Sequence, residues 1–260
     1  MIKNSIITIN NILLSLFCLM ILSCRGEVVA TDGDLSNFGW ALYEDGNYLE
    51  ALEWFKESIK TDSSHYDAYN GAGWTMGQLR QADDAINFFN TFLQRDSSDF
   101  TDKLDFYAGL SFGYSAVGND SKAREYAQTY FFGNQNSDLG DPNWCFCHKT
   151  DINMLDVRLV LAISEFRLGL FQNSLSSIND LYNDLEYADG DSLKNGELKG
   201  VRELNDEYPL EYDYNSVSGR TYLANHLEIL QRKLASANGE NNLSWNCSED
   251  NGKGGGYCVQ

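Results

Sequence analysis

Apolar residues recur at helical spacing through most of this chain. Leu35, Phe38, Gly39 and Leu42 fall on one face, and Tyr48, Ala51, Leu52, Phe55 and Ile59 form a second after the polar Asp45-Gly46-Asn47 turn. Tyr69, Ala72, Gly73 and Met76 repeat the pattern, followed by Ala82, Ala85, Ile86, Phe89 and Leu93. Each set predicts a helical hairpin. Leu110, Tyr114, Gly118-Asn119 and Ala123, with a helix over 121–131, predict a third. Leu161, Ala162, Phe166, Gly169, Phe171, Ser174 and Ile178 predict a fourth. Between these two, the segment 133–150 interrupts the period with Asn, Asp and Gly. Beyond 184 the pattern fades through the turn signals Asp189-Gly190-Asp191 and Asn195-Gly196. It returns over 217–237, where Tyr222, Leu223, Leu227, Leu230 and Leu234 predict a last amphipathic helix. The tail, 238–260, is rich in Asn, Ser and Gly, has little to bury, and is expected to be irregular.

The first two hairpins repeat at an offset of 34 residues: Gly39, Ala51, Phe55 and Asp62-Ser63 are answered by Gly73, Ala85, Phe89 and Asp96-Ser97. Small and aromatic residues in set places at this period resemble the tetratricopeptide repeat. The resemblance implies an all-α fold of helix-turn-helix repeats stacked into a right-handed α-solenoid. The repeats would be 32–65, 66–99, about 104–132 and about 151–186, with the insertion 133–150 between the last two. An irregular segment and capping helix (187–237) and a flexible cysteine-containing tail (238–260) would follow. The third repeat requires a slip of four residues, and the third and fourth both depart from the family at its usual small and proline positions. Gly39, Gly73, Ala51 and Ala85 allow neighbouring helices to approach closely, and Phe55 and Phe89 fill the space between pairs.

In this family the first helix of each pair lines a concave surface. Carried over by position, Trp40, Trp74, Phe112 and Ile163 are equivalent on successive first helices. Ser36, Tyr43, Glu44, Asn70 and Gln78 lie nearby, and Asp67, Asp105 and Asp156 recur near the start of their repeats. The resemblance therefore implies a partner-binding groove made by Trp40, Tyr43, Glu44, Asn70, Trp74, Gln78 and Phe112. Aromatics on an open surface beside amides and carboxylates suit a peptide or extended chain. Trp40 and Trp74 also fit a purely structural role, packed between adjacent helices. The Lys and Arg clamp with which some members of the family hold a C-terminal carboxylate has no counterpart at these places. A binding scaffold of this kind is not expected to be an enzyme, and no cofactor is expected.

Composition narrows the partner. The formal net charge is −19, which disfavours nucleic acid and anionic headgroups and favours a neutral or basic protein or peptide. The N-terminus reads as a processing signal over 1–23, with Lys3 and then an apolar run over 12–22 that is short for a membrane span. Ile21-Leu22-Ser23-Cys24 resembles the lipobox of bacterial lipoproteins. It implies lipidation at Cys24, a linker over 24–31, and membrane attachment through acyl chains (palmitate among them) alone. Arg25 stands where an inner-membrane retention signal usually has Asp, so the expected location is the cell envelope, at the outer membrane in preference to the inner. Bacterial tetratricopeptide lipoproteins are similar in size and layout. A component of an outer-membrane assembly or transport complex is accordingly an alternative.

Four cysteines remain for other roles: Cys145, Cys147, Cys247 and Cys258. An even number in an exported chain favours disulfides, with the tail cysteines tied to those of the insertion, although connectivity is open. A redox or metal-handling site using Cys145, Cys147, His148, Cys247 and Cys258 is the competing reading, despite Cys-x-Cys being tighter than usual for structural zinc. Neither His65 nor His226 stands in a catalytic pattern, and Gly252-Lys253-Gly254-Gly255-Gly256 lacks the frame of a phosphate loop.

Overall fold

The computed structural model describes residues 29–95, 103–133, 144–149, 151–188 and 213–237. The chain divides into Met1–Thr31 and Asp32–Gln260, and the architecture below is that of the second unit. The expected signal segment, Cys24 and the tail with Cys247 and Cys258 lie outside the described residues.

Among the described residues there are nine helices and no strand. They form four consecutive hairpins: α1 (Asp32–Glu44) with α2 (Tyr48–Thr61), α3 (Tyr66–Gln78) with α4 (Ala82–Arg95), α5 (Lys103–Ala116) with α6 (Asp120–Phe132), and α7 (Met154–Arg167) with α8 (Phe171–Ala188). The last helix is α9 (Val217–Ala237). Each helix packs on the next, and α1, α3, α5 and α7 also touch in succession, which stacks the hairpins into an all-α repeat solenoid. The starts of α1 and α3 are 34 residues apart, as are those of α2 and α4, whereas α6 starts 38 residues after α4.

One turn closes all four hairpins. Gly46, Arg80, Gly118 and Gly169 each have positive φ, between 61° and 79°. The following residue in each case donates its N–H to a carbonyl five residues back, as in Asn47 to Leu42 (2.8 Å) and Gln81 to Met76 (2.9 Å). This is the Schellman closure, which satisfies carbonyls left orphaned at the helix end.

The core lies between the helices of successive pairs. Phe55 and Phe89 are fully enclosed, and glycines receive their rings. Phe55 lies against Gly39 and Gly71, while Phe89 lies against Gly73 and Gly109. On α1 the buried face is Leu35, Ser36, Gly39, Trp40 and Tyr43. That face is rotated from the expected one: Phe38 is exposed and meets Trp54 of α2 edge-on at 4.9 Å. The rotation follows from Trp40 and Tyr43, whose larger surfaces gain more from burial than Phe38 and Leu42.

Polar contacts join the third and fourth hairpins. Glu165 of α7 is buried and accepts hydrogen bonds from Arg124 Nε of α6 (3.3 Å) and Ser177 Oγ of α8 (2.7 Å). The last of the described helices, α9, packs against α7 and α8 through Leu223, Leu227, Leu230 and Leu234. No helix among the described residues is long and apolar enough to cross a membrane.

Candidate functional site

The sequence brings an aromatic residue to the same place on successive first helices. In the structure Trp40, Trp74 and Phe112 follow one another across α1, α3 and α5, with Trp74 and Phe112 meeting edge-on at 5.9 Å. This face is not open. The short segment Trp144–Lys149 covers it, and Phe146 is fully buried against it. The Phe146 ring stacks on Trp74 at 4.1 Å and meets Trp40 and Tyr43 edge-on at 5.8 and 6.0 Å. Trp40 and Trp74 are therefore each only 5% exposed. Aromatic pairs of this kind contribute about 0.5–1.5 kcal/mol each beyond the area they bury.

Local hydrogen bonds aim Phe146. Its N–H donates to Ile152 O at 2.8 Å, and Trp144 O accepts from Met154 N at 3.2 Å, which sets the segment on the start of α7. Asn153 caps that helix in a reciprocal box: its side chain accepts from Leu155 N at 2.9 Å, and Asp156 Oδ2 accepts from Asn153 N at 3.0 Å. Asp156 sits so deep that burial pushes its carboxyl up to about 6, against the N–H that holds it down.

Asp67 and Asp105, which recur near the starts of α3 and α5, have equivalent tasks. Asp67 accepts from Trp40 Nε1 at 2.9 Å and from Ser36 Oγ. Asp105 accepts from Trp144 Nε1 at 2.8 Å and from Asn70 Nδ2 at 3.1 Å. Each carboxylate answers an indole N–H at a helix N-terminus, where the helix dipole favours negative charge. Asn70, expected in the partner-binding groove, thus spends its amide N–H on Asp105.

The remaining groove residues surround this centre. Glu44 is exposed and meets His148 Nδ1 at 2.7 Å, while the His148 ring stacks on Trp40. Gln78 is half-buried beside the Tyr43 hydroxyl. Burial raises the Tyr43 phenol far above its ordinary value and keeps it neutral. Two buried polar atoms here have no hydrogen-bond partner among the described residues: Asn70 Oδ1 and Trp74 Nε1. Cys145 is buried and Cys147 half-buried, on either side of Phe146. No group of three or more His, Cys, Asp or Glu suited to a metal is found among the described residues.

Sequence reasoning missed Trp144 and Phe146 as members of the site. Two aromatics in an otherwise polar insertion were the available signal, since side chains of that size are seldom left in water when a core is within reach.

The fold defines the class, an all-α solenoid of stacked helix hairpins. A crystal structure of a tetratricopeptide repeat protein from Parabacteroides merdae is similar at a TM-score of 0.48 and 16% identity, across 89% of this chain and 87% of that one. No family model matches the chain. No curated protein matches it either.

Proposed function

We propose that this chain is a non-enzymatic scaffold of the bacterial cell envelope, anchored by lipid at Cys24, that holds a partner protein or peptide on the face of its first helices. The observation that carries this reading is the seat of Phe146. The face built by Trp40, Tyr43 and Trp74 already takes up a short looped piece of polypeptide, with Glu44 and Gln78 at its edge. The charge of −19 favours a neutral or basic partner. A place in an outer-membrane assembly or transport complex is the same activity with a particular partner.

Disulfides from Cys145 and Cys147 to Cys247 and Cys258 belong to this proposal, supported by the disulfide-bonded state of Cys145 and Cys147. They would pin the segment that covers the face to the tail. Mass spectrometry of the unreduced protein tests this, and four free thiols would remove it.

The scaffold reading is tested by a photo-crosslinking amino acid placed at Glu44 or Gln78, with Glu53 on the outer face of α2 as control. Recovery of the same partner from the first two sites and not the third is the expected result. Equal recovery from all three, or from none, removes it. Palmitate labelling that survives Cys24→Ser would remove the lipid anchor.

A further inference from the structure

The covered face has the properties of an occupied peptide site, and its occupant belongs to the chain itself. Phe146 fills a slot between two indoles, and two residues on the His148 imidazole lies flat on the outer face of Trp40 with Glu44 at its nitrogen. Trp144 adds an anchor two residues before, through its N–H to Asp105. Side chains two residues apart on this short segment thus enter three adjacent places on α1, α3 and α5, the chain turning back after Phe146 with Lys149 N–H donating to Phe146 O at 2.9 Å.

The fit is incomplete. Asn70 and Trp74 are buried to at least 95%, and Asn70 Oδ1 and Trp74 Nε1 are unanswered among the described residues. Each such group costs the free energy of its lost hydration. The first needs a donor and the second an acceptor. The alternating N–H and C=O groups of a peptide backbone supply that set.

From this we infer that the segment Trp144–His148 is an intramolecular copy of the partner's binding motif. The partner is a peptide bearing an aromatic residue followed, two positions later, by His or another flat nitrogen-bearing side chain such as Arg. The inference rests on the scaffold reading above and assigns its partner class. The aromatic ring enters between Trp74 and Trp40. The flat side chain stacks on Trp40 and sets a ring or guanidinium nitrogen on Glu44, and the negative chain as a whole favours Arg at this place. The partner binds by displacing Phe146. It must overcome the high effective concentration of a tethered competitor, and it does so by satisfying the polar atoms that Phe146 leaves unpaired.

The test uses the full chain and a blocked hexapeptide copying residues 144–149, with serine for both cysteines. Binding is followed by tryptophan fluorescence and calorimetry. Phe146→Ala vacates the slot, and the peptide is expected to bind this variant at least tenfold more tightly than the parent. Alanine at the peptide's Phe should remove binding. Alanine at its His should weaken binding severalfold, with recovery by arginine.

If Phe146→Ala does not fold, His148→Ala, which uncovers only the outer face of Trp40, takes its place and should bind severalfold more tightly than the parent. A folded variant that binds no peptide, or binds the alanine peptides equally well, overturns the inference. Crosslinking at Glu44 and Gln78 separates the two failures. A partner recovered there without peptide binding leaves the scaffold standing and removes only the motif, whereas loss of both removes both.

Discussion

The imidazole of His148 lies flat on the indole of Trp40, with centroids 3.7 Å apart and planes within 4°. These residues stand more than a hundred positions apart, one in the first hairpin and the other in the insertion before the fourth. Their contact closes the face that the first three hairpins assemble. Four predictions follow from how that face and its frame are built.

Asp105 is the polar hub beneath the insertion, serving both Trp144 and Asn70. Asp105→Ala leaves two buried donors without acceptors, at a cost of about 1–3 kcal/mol for each group so stranded. Asp105→Asn keeps one acceptor and should cost less. Urea denaturation gives the free energies. Proteolysis near Trp144 should accelerate in the alanine variant, and unchanged proteolysis would show that Asp105 does not hold the insertion.

Phe55 and Gly71 are matched in size across α2 and α3. A Cβ added at Gly71 would fall within the Phe55 ring, leaving the helices no distance at which both side chains fit. Gly71→Ala should destabilise by about 1–3 kcal/mol, as overpacking does in rigid cores. Adding Phe55→Leu should recover part of that loss, so the double variant should be less damaged than the sum of the singles. Strict additivity in equilibrium unfolding would contradict the contact.

Arg80 holds a φ of 61° in the turn where the other three hairpins have glycine. A side chain in the left-handed region costs about 1–2 kcal/mol, partly offset by the lower entropy of the unfolded chain. Arg80→Gly should therefore stabilise the protein by about 0.5–1 kcal/mol. A fall in melting temperature would indicate that the Arg80 side chain contributes more than its backbone costs.

The pH dependence divides between two buried groups of opposite sign. Burial lowers the His226 imidazole to about 4, where Nδ1 meets Tyr182 Oη at 2.7 Å and Tyr222 packs beside the ring. From pH 6.5 down to 4 the unfolded chain takes up a proton that the folded chain refuses, so this group weakens the fold on acidification. Burial raises Asp156 to about 6. Between pH 6 and 3.8 the folded chain takes up its proton first, so this group strengthens the fold on acidification. Relative to the parent, His226→Gln should lose less stability between pH 7 and 4.5, and Asp156→Asn should lose more. Melting temperatures across that range would show parallel curves if neither group were buried in this way.

The hairpins were legible in the chain because their causes are local. A 3.6-residue apolar period, glycine at the left-handed turn positions Gly46, Gly118 and Gly169, and small residues facing Phe55 and Phe89 each act within a few residues or one repeat. The last helix, over 217–237, followed from the same periodicity. On α1 the pattern pointed to Phe38 and the packing preferred Trp40 and Tyr43, since helical spacing alone cannot rank neighbouring faces of similar apolarity.

The sequence by itself therefore determined the repeat, its turns and the alignment of Trp40, Trp74 and Phe112 on successive helices. Only the tertiary structure decided that this face is filled. Phe146 sits in an aperiodic insertion, and its burial depends on the spacing of α1 and α3 and on the cap that sets it at the start of α7. That distance and direction exist only once the hairpins have stacked.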